Sequence, residues 1–308
     1  MLSLSNSWTL NLGLTSQLFT LNNQYTIEPR AGLKWLFTTN QSLGLAYGLH
    51  SRLEMLNYYF TKSETGEQIN KNLDFTRAHH LVLSYNWNIG NNYNIKIEPY
   101  IQHLYDVPVI ADSTFSFVNL QGDWFIKDKL ENKGKGLNYG VDLTFERYVS
   151  QRYYYLLTAS LFKAKYKGGN NVWYNSRYNR NYAFNFLTGK EWMMGKNKQN
   201  ILSANIRLTY QGGDRYSPVN ESQSIIEQEV VYDENRAFSK QLSAAFITHT
   251  SLSYKINRYR KSHEFAIKII NLTGYKDFYG HQYNFFTQRV DENKESIIIP
   301  NISYKFEF

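Results

Sequence analysis

Residues 25–37 read YTIEPRAGLKWLF. Taken two at a time, the stretch separates into two sets. Tyr25, Ile27, Ala31, Leu33, Trp35 and Phe37 fall on one side; Thr26, Glu28, Arg30, Gly32 and Lys34 fall on the other. Successive side chains of an extended chain point to opposite faces, so this is a strand with one apolar and one charged face. A glutamate, an arginine and a lysine cannot share a dry core unless they are paired. The apolar face must be covered, and the charged face must meet water or ionic partners.

The same alternation recurs along the chain. Leu43, Leu45, Tyr47 and Leu49 oppose Ser42, Gly44, Ala46, Gly48 and His50. Tyr93, Ile95, Ile97, Pro99 and Ile101 oppose Asn94, Lys96, Glu98, Tyr100 and Gln102. Leu137, Tyr139, Val141, Leu143 and Phe145 oppose Asn138, Gly140, Asp142, Thr144 and Glu146, and Leu202 to Tyr210 oppose Ser203, Asn205, Arg207 and Thr209. The pattern predicts about twelve strands, over 7–19, 25–37, 43–59, 76–89, 93–106, 136–149, 153–166, 181–193, 200–211, 241–256, 262–273 and 295–308. Many exceed the length usual in soluble sheets and reach what a tilted strand needs to cross a bilayer. Short connections (38–42, 90–92, 150–152, 195–199, 257–261) alternate with long polar ones (60–75, 107–135, 167–180, 212–240, 274–294). Only the first connection on the long side, 20–24, is short. Short turns on one rim and long loops on the other mark an outer-membrane barrel. The expected fold is all-β: an antiparallel, up-and-down transmembrane β-barrel.

Composition agrees. Of 308 residues, 42% are hydrophobic, yet mean hydropathy is -0.52, so apolar residues are finely interleaved with polar ones. No run of about 18 apolar residues offers a membrane helix. The 26 Tyr, 19 Phe and 6 Trp gather near strand ends, as interfacial girdles do. The formal charge of +8 is spread singly, without a basic cluster, which argues against a nucleic-acid partner. The chain has no cysteine, which suits passage through an oxidising periplasm. The opening MLSLSNSWTLNLGL has no signal-peptide pattern and reads as a strand, so the chain is expected to be part of a longer protein.

Catalytic and metal-binding patterns are not found. Seven histidines are scattered; His79 and His80 are adjacent and point to opposite faces, and His50, His103, His249, His263 and His281 stand isolated. His249 and Ser251 share a face, as a barrel lipase dyad would, but polar wall residues explain them as well. The stretch 112–123 lacks the dense spacing of a calcium loop. YQGGDRYSP (210–218) has no phosphate-loop Lys and reads as a turn with its glycines at positive φ. NNVWYNSRYNRNY (170–182) brings Trp173, Tyr174, Arg177, Tyr178 and Arg180 into one polar loop. Exposed aromatics with arginine make binding hot spots, so Trp173, Tyr174, Arg177 and Tyr178 are candidate ligand or plug-side contacts, beside the alternative of interfacial anchoring or loop packing.

YTIEPRAGLKWLF, SLGLAYGLHSRLEMLNYYF (42–60), YIQHLYDVPVI (100–110), YNSRYNRNYAFNFLTGKEW (174–192), YQGGDRYSPVN (210–220), VVYDENRAFSKQL (230–242), INLTGYKDFYGHQY (270–283) and the terminal PNISYKFEF resemble, in order and spacing, the C-terminal barrel of TonB-dependent receptors of the type common in Bacteroidetes. The resemblance implies a 22-stranded barrel around an N-terminal plug, importing a scarce ligand with energy from TonB, in the bacterial outer membrane. Twelve strands are little more than half of it. On this reading 1–308 is a partial barrel domain, its C-terminus complete, with the plug, TonB-contacting segment and early strands preceding Met1. It implies no enzyme activity and no cofactor. Partners would be the bilayer and lipopolysaccharide, the barrel-assembly machinery, the plug and TonB, and a small-molecule or oligomeric nutrient ligand.

The resemblance also assigns residues. Ile302, Tyr304, Phe306 and Phe308 match the alternating C-terminal signal that the assembly machinery reads. Glu28, Arg30, Lys34, Glu98, Asp142, Glu146 and Arg207 would face the lumen and the plug. The alternatives are a self-contained twelve-stranded channel or lipid-processing barrel enzyme, and a soluble β-sandwich, which the charged face of each strand disfavours.

Overall fold

The structure, a computed structural model, describes residues 2–120 and 126–308; Asp123, the end of the stretch weighed as a calcium loop, lies outside them. Twelve long strands follow one another: β1 (Trp8–Phe19), β2 (Gln24–Thr38), β3 (Gln41–Arg52), β4 (Thr76–Ile89), β5 (Tyr93–Ile110), β6 (Leu130–Ser150), β7 (Tyr153–Lys167), β8 (Tyr182–Met194), β9 (Asn200–Gln211), β10 (Ala245–Arg258), β11 (Lys261–Ile270) and β12 (Ile299–Glu307). Each pairs antiparallel with the next in one sheet. Two short strands extend it, Leu2–Ser3 against β1 and Trp173–Asn175 against β7. Among the described residues no pairing joins β1 to β12. The expected all-β, up-and-down, barrel-like architecture is the one observed.

Tight turns close one end of the sheet. At the turn between β6 and β7, Gln151 and Arg152 both adopt positive φ (52° and 67°), the left-handed pair that matches the twist of two adjoining strands. The long connections lie at the other end, with the short 20–23 turn among them. Asn22 fastens that turn to the neighbouring loop, its Nδ2 donating to the carbonyls of Lys71 (3.0 Å) and Leu73 (2.8 Å).

Register turns the alternation into rows. Leu10, Leu33, Leu45 and Leu83 stand opposite one another across β1 to β4. This face is exposed: Leu14 is 72% accessible and Ile27 55%. On the polar face, by contrast, Thr26, Glu28, Ser42, Asn94 and Thr209 are buried. Covering one leucine from water is worth about 2 kcal/mol, so a face of such rows demands an apolar surrounding.

The buried apolar core is elsewhere, at the long-loop end. Tyr58, Tyr59, Leu73, Val107, Phe117, Ile126 and Leu130 form it. Two expectations of strand extent fail here. The third strand, expected to reach residue 59, ends at Arg52, and Leu56–Tyr59 makes one helical turn that carries Tyr58 and Tyr59 into the core. β5 and β6 run longer than expected, pairing as far as Ile110 opposite Leu130. Val107 and Val109 there are buried by the loops, so apolar/polar alternation no longer marks the strand. A third difference concerns the last connection. Lys276–Asn284 and Arg289–Ser296 form a hairpin within what reads as a polar loop, and β12 begins at Ile299 instead of 295.

Polar side chains tie the loops to the sheet. Asn70 Nδ2 donates to the Asp128 carbonyl, and its Oδ1 accepts the Leu130 N–H. Arg77 bridges Asp74 (3.0 Å) and Asp106 (2.5 Å).

Candidate functional site

Two cavities lie at the long-loop end. The larger, about 1100 Å³, is walled by the polar face of β3 to β7, through His50, Thr76, Glu98, Gln102, Asn138 and Asp142. Phe117, Val118, Leu120 and Tyr178 border it from the loops. The smaller, about 550 Å³, lies among the loops, lined by Phe115, Asn119, Arg177, Arg215, Tyr216, Phe238 and Phe278. Leu120 borders both.

A thin partition separates them. Phe117, Val118, Ser176 and Tyr178 line the larger cavity, while Phe115, Ser116, Asn119 and Arg177 line the smaller. The partition is built from a single 3-10 turn, Phe117–Asn119, capped by Ser116, whose Oγ accepts the Val118 N–H. Phe117 packs edge-on to Tyr58, 5.0 Å between centroids. The Arg177 N–H donates to Asn119 Oδ1 (2.9 Å), which joins the two segments.

Charge in the smaller cavity is unevenly balanced. Asp214 is taken by Arg180, Nε to Oδ1 at 2.5 Å, and that hydrogen bond holds the Arg180 pKa above its ordinary value. Glu234 accepts from Thr114 Oγ1. Arg215 donates to the Asn179 carbonyl (2.9 Å) and to Asn181 Oδ1 (3.0 Å), and burial pulls its pKa down. Neither Arg177 nor Arg215 has a carboxylate partner among the described residues.

The glycines of YQGGDRYSP work differently from the expectation. Neither Gly212 nor Gly213 has a positive φ. A Cβ at Gly212 would lie 1.9 Å from the Arg180 carbonyl oxygen, and one at Gly213 would lie 2.3 Å from that of Leu242. They are required for close backbone approach at the cavity's base, not for turn geometry.

The candidate loop contacts divide. Arg177 borders the smaller cavity and Tyr178 the larger. Trp173 and Tyr174 border neither: Trp173 is exposed in its short strand, and Tyr174 accepts from Asn170 and packs on Tyr166. The candidate lumen residues are spread over the polar face. Glu98 and Asp142 stand opposite each other in the larger cavity, Glu98 paired with Lys96 at 2.8 Å. Glu28, 1% exposed, accepts from Gln17, Thr26, Ser51 and Arg30. Arg30 keeps a half-exposed side chain, Lys34 and Arg207 are exposed, and Glu146 stands opposite Asn94.

At the last strand, Ile302, Tyr304, Phe306 and Phe308 share the exposed face, with Phe308 fully accessible. Tyr304 meets His263 (Oη to Nδ1, 2.8 Å), and Phe306 packs on the same ring. On the opposite face Glu307 is held by Lys255 (2.8 Å) and Ser262 (2.8 Å).

One grouping was not visible in the sequence. His50 and His80, separated by the 53–75 loop, have ring centroids 4.7 Å apart on the polar face. No group of three or more metal-ligating side chains occurs among the described residues. His249 and Ser251 do not bond to each other: His249 Nδ1 accepts the Asn271 N–H, and Ser251 Oγ accepts from Asn205.

An up-and-down sheet with an apolar outside, a polar inside and cavities under long loops at one end is the architecture of a barrel wall. No protein-family model matches the chain, and no curated protein matches it by sequence. Solved structures do match. The chain is similar to the siderophore receptor PiuA from Acinetobacter baumannii (13% identity, TM-score 0.63), with 98% of this chain covering 41% of that one. It is similar to BauA, the ferric preacinetobactin receptor of the same organism (13%, TM-score 0.64), over 98% of this chain and 40% of that one. The outer membrane transporter YddB from Escherichia coli matches at 11% identity and TM-score 0.64, over 97% and 43%. At these identities the likeness is one of fold. The chain spans about two-fifths of the length of these structures.

Proposed function

We propose that this chain is the C-terminal part of a TonB-dependent outer-membrane receptor, supplying barrel wall and ligand-capturing outer loops. The observation that carries the reading is the inverted sheet: exposed apolar rows outside, and a polar inside that walls a cavity of about 1100 Å³. Its near-complete overlap with receptor and transporter barrels supports it. On this reading residues 1–308 are one barrel domain, and the plug and remaining strands belong to other parts of the protein. Arg30, Lys34, Glu98, Asp142, Glu146 and Arg207 meet the plug directly, and Glu28 orients Arg30 toward it. Ile302, Tyr304, Phe306 and Phe308 present the assembly signal, and the apolar rows contact lipid and lipopolysaccharide. The chain binds no nucleic acid and performs no catalysis.

The test is fractionation of the native cells with uptake measured in the same strain. Outer-membrane location, with ligand uptake lost on deletion of the gene or of TonB, is expected. Recovery as a soluble monomer without detergent overturns the reading. Refolding of the chain alone into a heat-modifiable, ion-conducting monomer would replace it with a self-contained channel.

A further inference from the structure

The smaller cavity has features that the barrel wall does not require. Asn119 is more than nine-tenths buried, and among the described residues its Nδ2 donates to no partner, although its Oδ1 and carbonyl both accept from Arg177. A buried amide donor left unpaired costs about 1–3 kcal/mol. Two guanidinium groups border the same space. Arg177 lies over the Phe238 ring at 5.7 Å, with only a long 3.4 Å bond to the Asn119 carbonyl. Arg215 follows closely, its N–H bonded to the Arg177 carbonyl at 2.8 Å. Two acids line the same space: Asp214 is paired with Arg180, and Glu234 accepts from the neutral Thr114 hydroxyl and keeps its charge. The remaining walls are largely aromatic: Phe115, Tyr216, Phe238 and Phe278.

We propose that this loop cavity binds a small organic carboxylate with a planar or apolar body. Arg177 and Arg215 receive the anionic head, and the aromatic walls receive the body. A volume of about 550 Å³ suits one small ligand. Guanidinium groups bond a carboxylate through paired N–H donors, and the low-dielectric wall strengthens those bonds. Arg177 and Arg215 outnumber Glu234, the lining carboxylate without a cationic partner, so a neutral ligand would leave net positive charge on the wall and a cation would add to it. The inference deepens the receptor reading by naming the class of ligand, and rests on it for the direction of capture.

The probes are three molecules sharing one ring system: 2-naphthoate, 2-naphthamide and 2-naphthylmethylammonium. Binding to the detergent-solubilised full-length protein is followed by calorimetry. Saturable binding of 2-naphthoate is expected, at least tenfold tighter than the amide, with no binding of the ammonium. Asn119→Asp keeps the oxygen that accepts the Arg177 N–H but replaces the free donor with charge; it should weaken 2-naphthoate at least tenfold and leave the amide within twofold. Arg177→Gln should do the same. Absent 2-naphthoate binding, equal binding of acid and amide, preference for the ammonium, or an Asn119→Asp variant with wild-type affinity would each overturn the proposal. Outer-membrane location without anion binding sinks the site alone, whereas anion binding by a protein found elsewhere sinks the receptor reading alone.

Discussion

Arg177 and Tyr178 are neighbours in sequence and line different cavities. The backbone between them is one layer thick, so the two spaces share a wall whose sides can be changed separately. Tyr178→Ala should enlarge the larger cavity and leave 2-naphthoate affinity within twofold, because the peptide holding Arg177 to Asn119 is untouched. Calorimetry with that variant checks it; a tenfold loss would mean that the wall is not a divider.

Leu120 is the side chain that both spaces touch. Leu120→Ala should open a passage between them without unfolding the loops, since the core around Tyr58 and Phe117 remains. A spin label in the larger cavity should become more accessible to a water-soluble relaxation agent, by about twofold or more.

Glu28 gathers four donors on the polar face. Glu28→Ala would strand Gln17, Ser51 and Arg30. Arg30 is half-exposed and water recovers part of the loss. A destabilisation of about 2 kcal/mol is expected, read as a lower urea midpoint in detergent.

Gly212→Ala places a Cβ against the Arg180 carbonyl. The backbone must move, by a strain of about 1–3 kcal/mol, and the Arg180–Asp214 pair should loosen. Faster proteolysis within 212–244 would report it. Gly66→Ala is the contrasting variant: φ is +85° there, but nothing lies within 4 Å, so only local backbone strain is expected.

His281 sits among Tyr216, Tyr232 and Phe278, with Glu292 and Lys294 as the charges acting on it. Burial holds its pKa below the ordinary 6.5. The unfolded loop therefore binds the proton more readily than the folded one. The contribution to stability is full above about pH 6.5 and is lost as pH falls through the lowered folded value. Amide protection factors in 276–296, the exchange rates divided into their intrinsic rates at each pH, should fall on acidification from pH 7.5 to 5, and His281→Gln should remove that fall.

Strand order and face assignment were legible because the polar face of each strand carries charges that only one orientation tolerates, as at Glu28, Arg30 and Lys34. The signal failed where both faces are covered, at Val107, Val109 and Leu130, because alternation records a difference between faces and there is none. The site was legible only in part. Arg177 stood out by its residue type and its aromatic neighbours. Asn119, Arg215 and the His50–His80 pair did not, since each depends on long loops folding back or on cross-strand register that sequence spacing does not encode. Gly212 and Gly213 were noticed for the wrong property: a close approach to carbonyls 32 and 29 residues away leaves the same letters as a turn.

The concentration of buried apolar side chains at one rim bears on how the protein responds to heat. An ordinary globular chain exposes apolar surface to water along its whole length on unfolding, which raises its heat capacity by ~12–15 cal/mol/K per residue. On the receptor reading the loop-end cluster around Tyr58, Phe117 and Leu130 leaves a dry environment for water, while the leucine rows keep lipid or detergent around them before and after. Calorimetry should therefore give a heat-capacity step well below the value for 308 ordinary residues, and a stability curve that is nearly straight with temperature. In thermal terms the chain should respond as a small water-soluble cap mounted on a wall whose leucine rows water never wets.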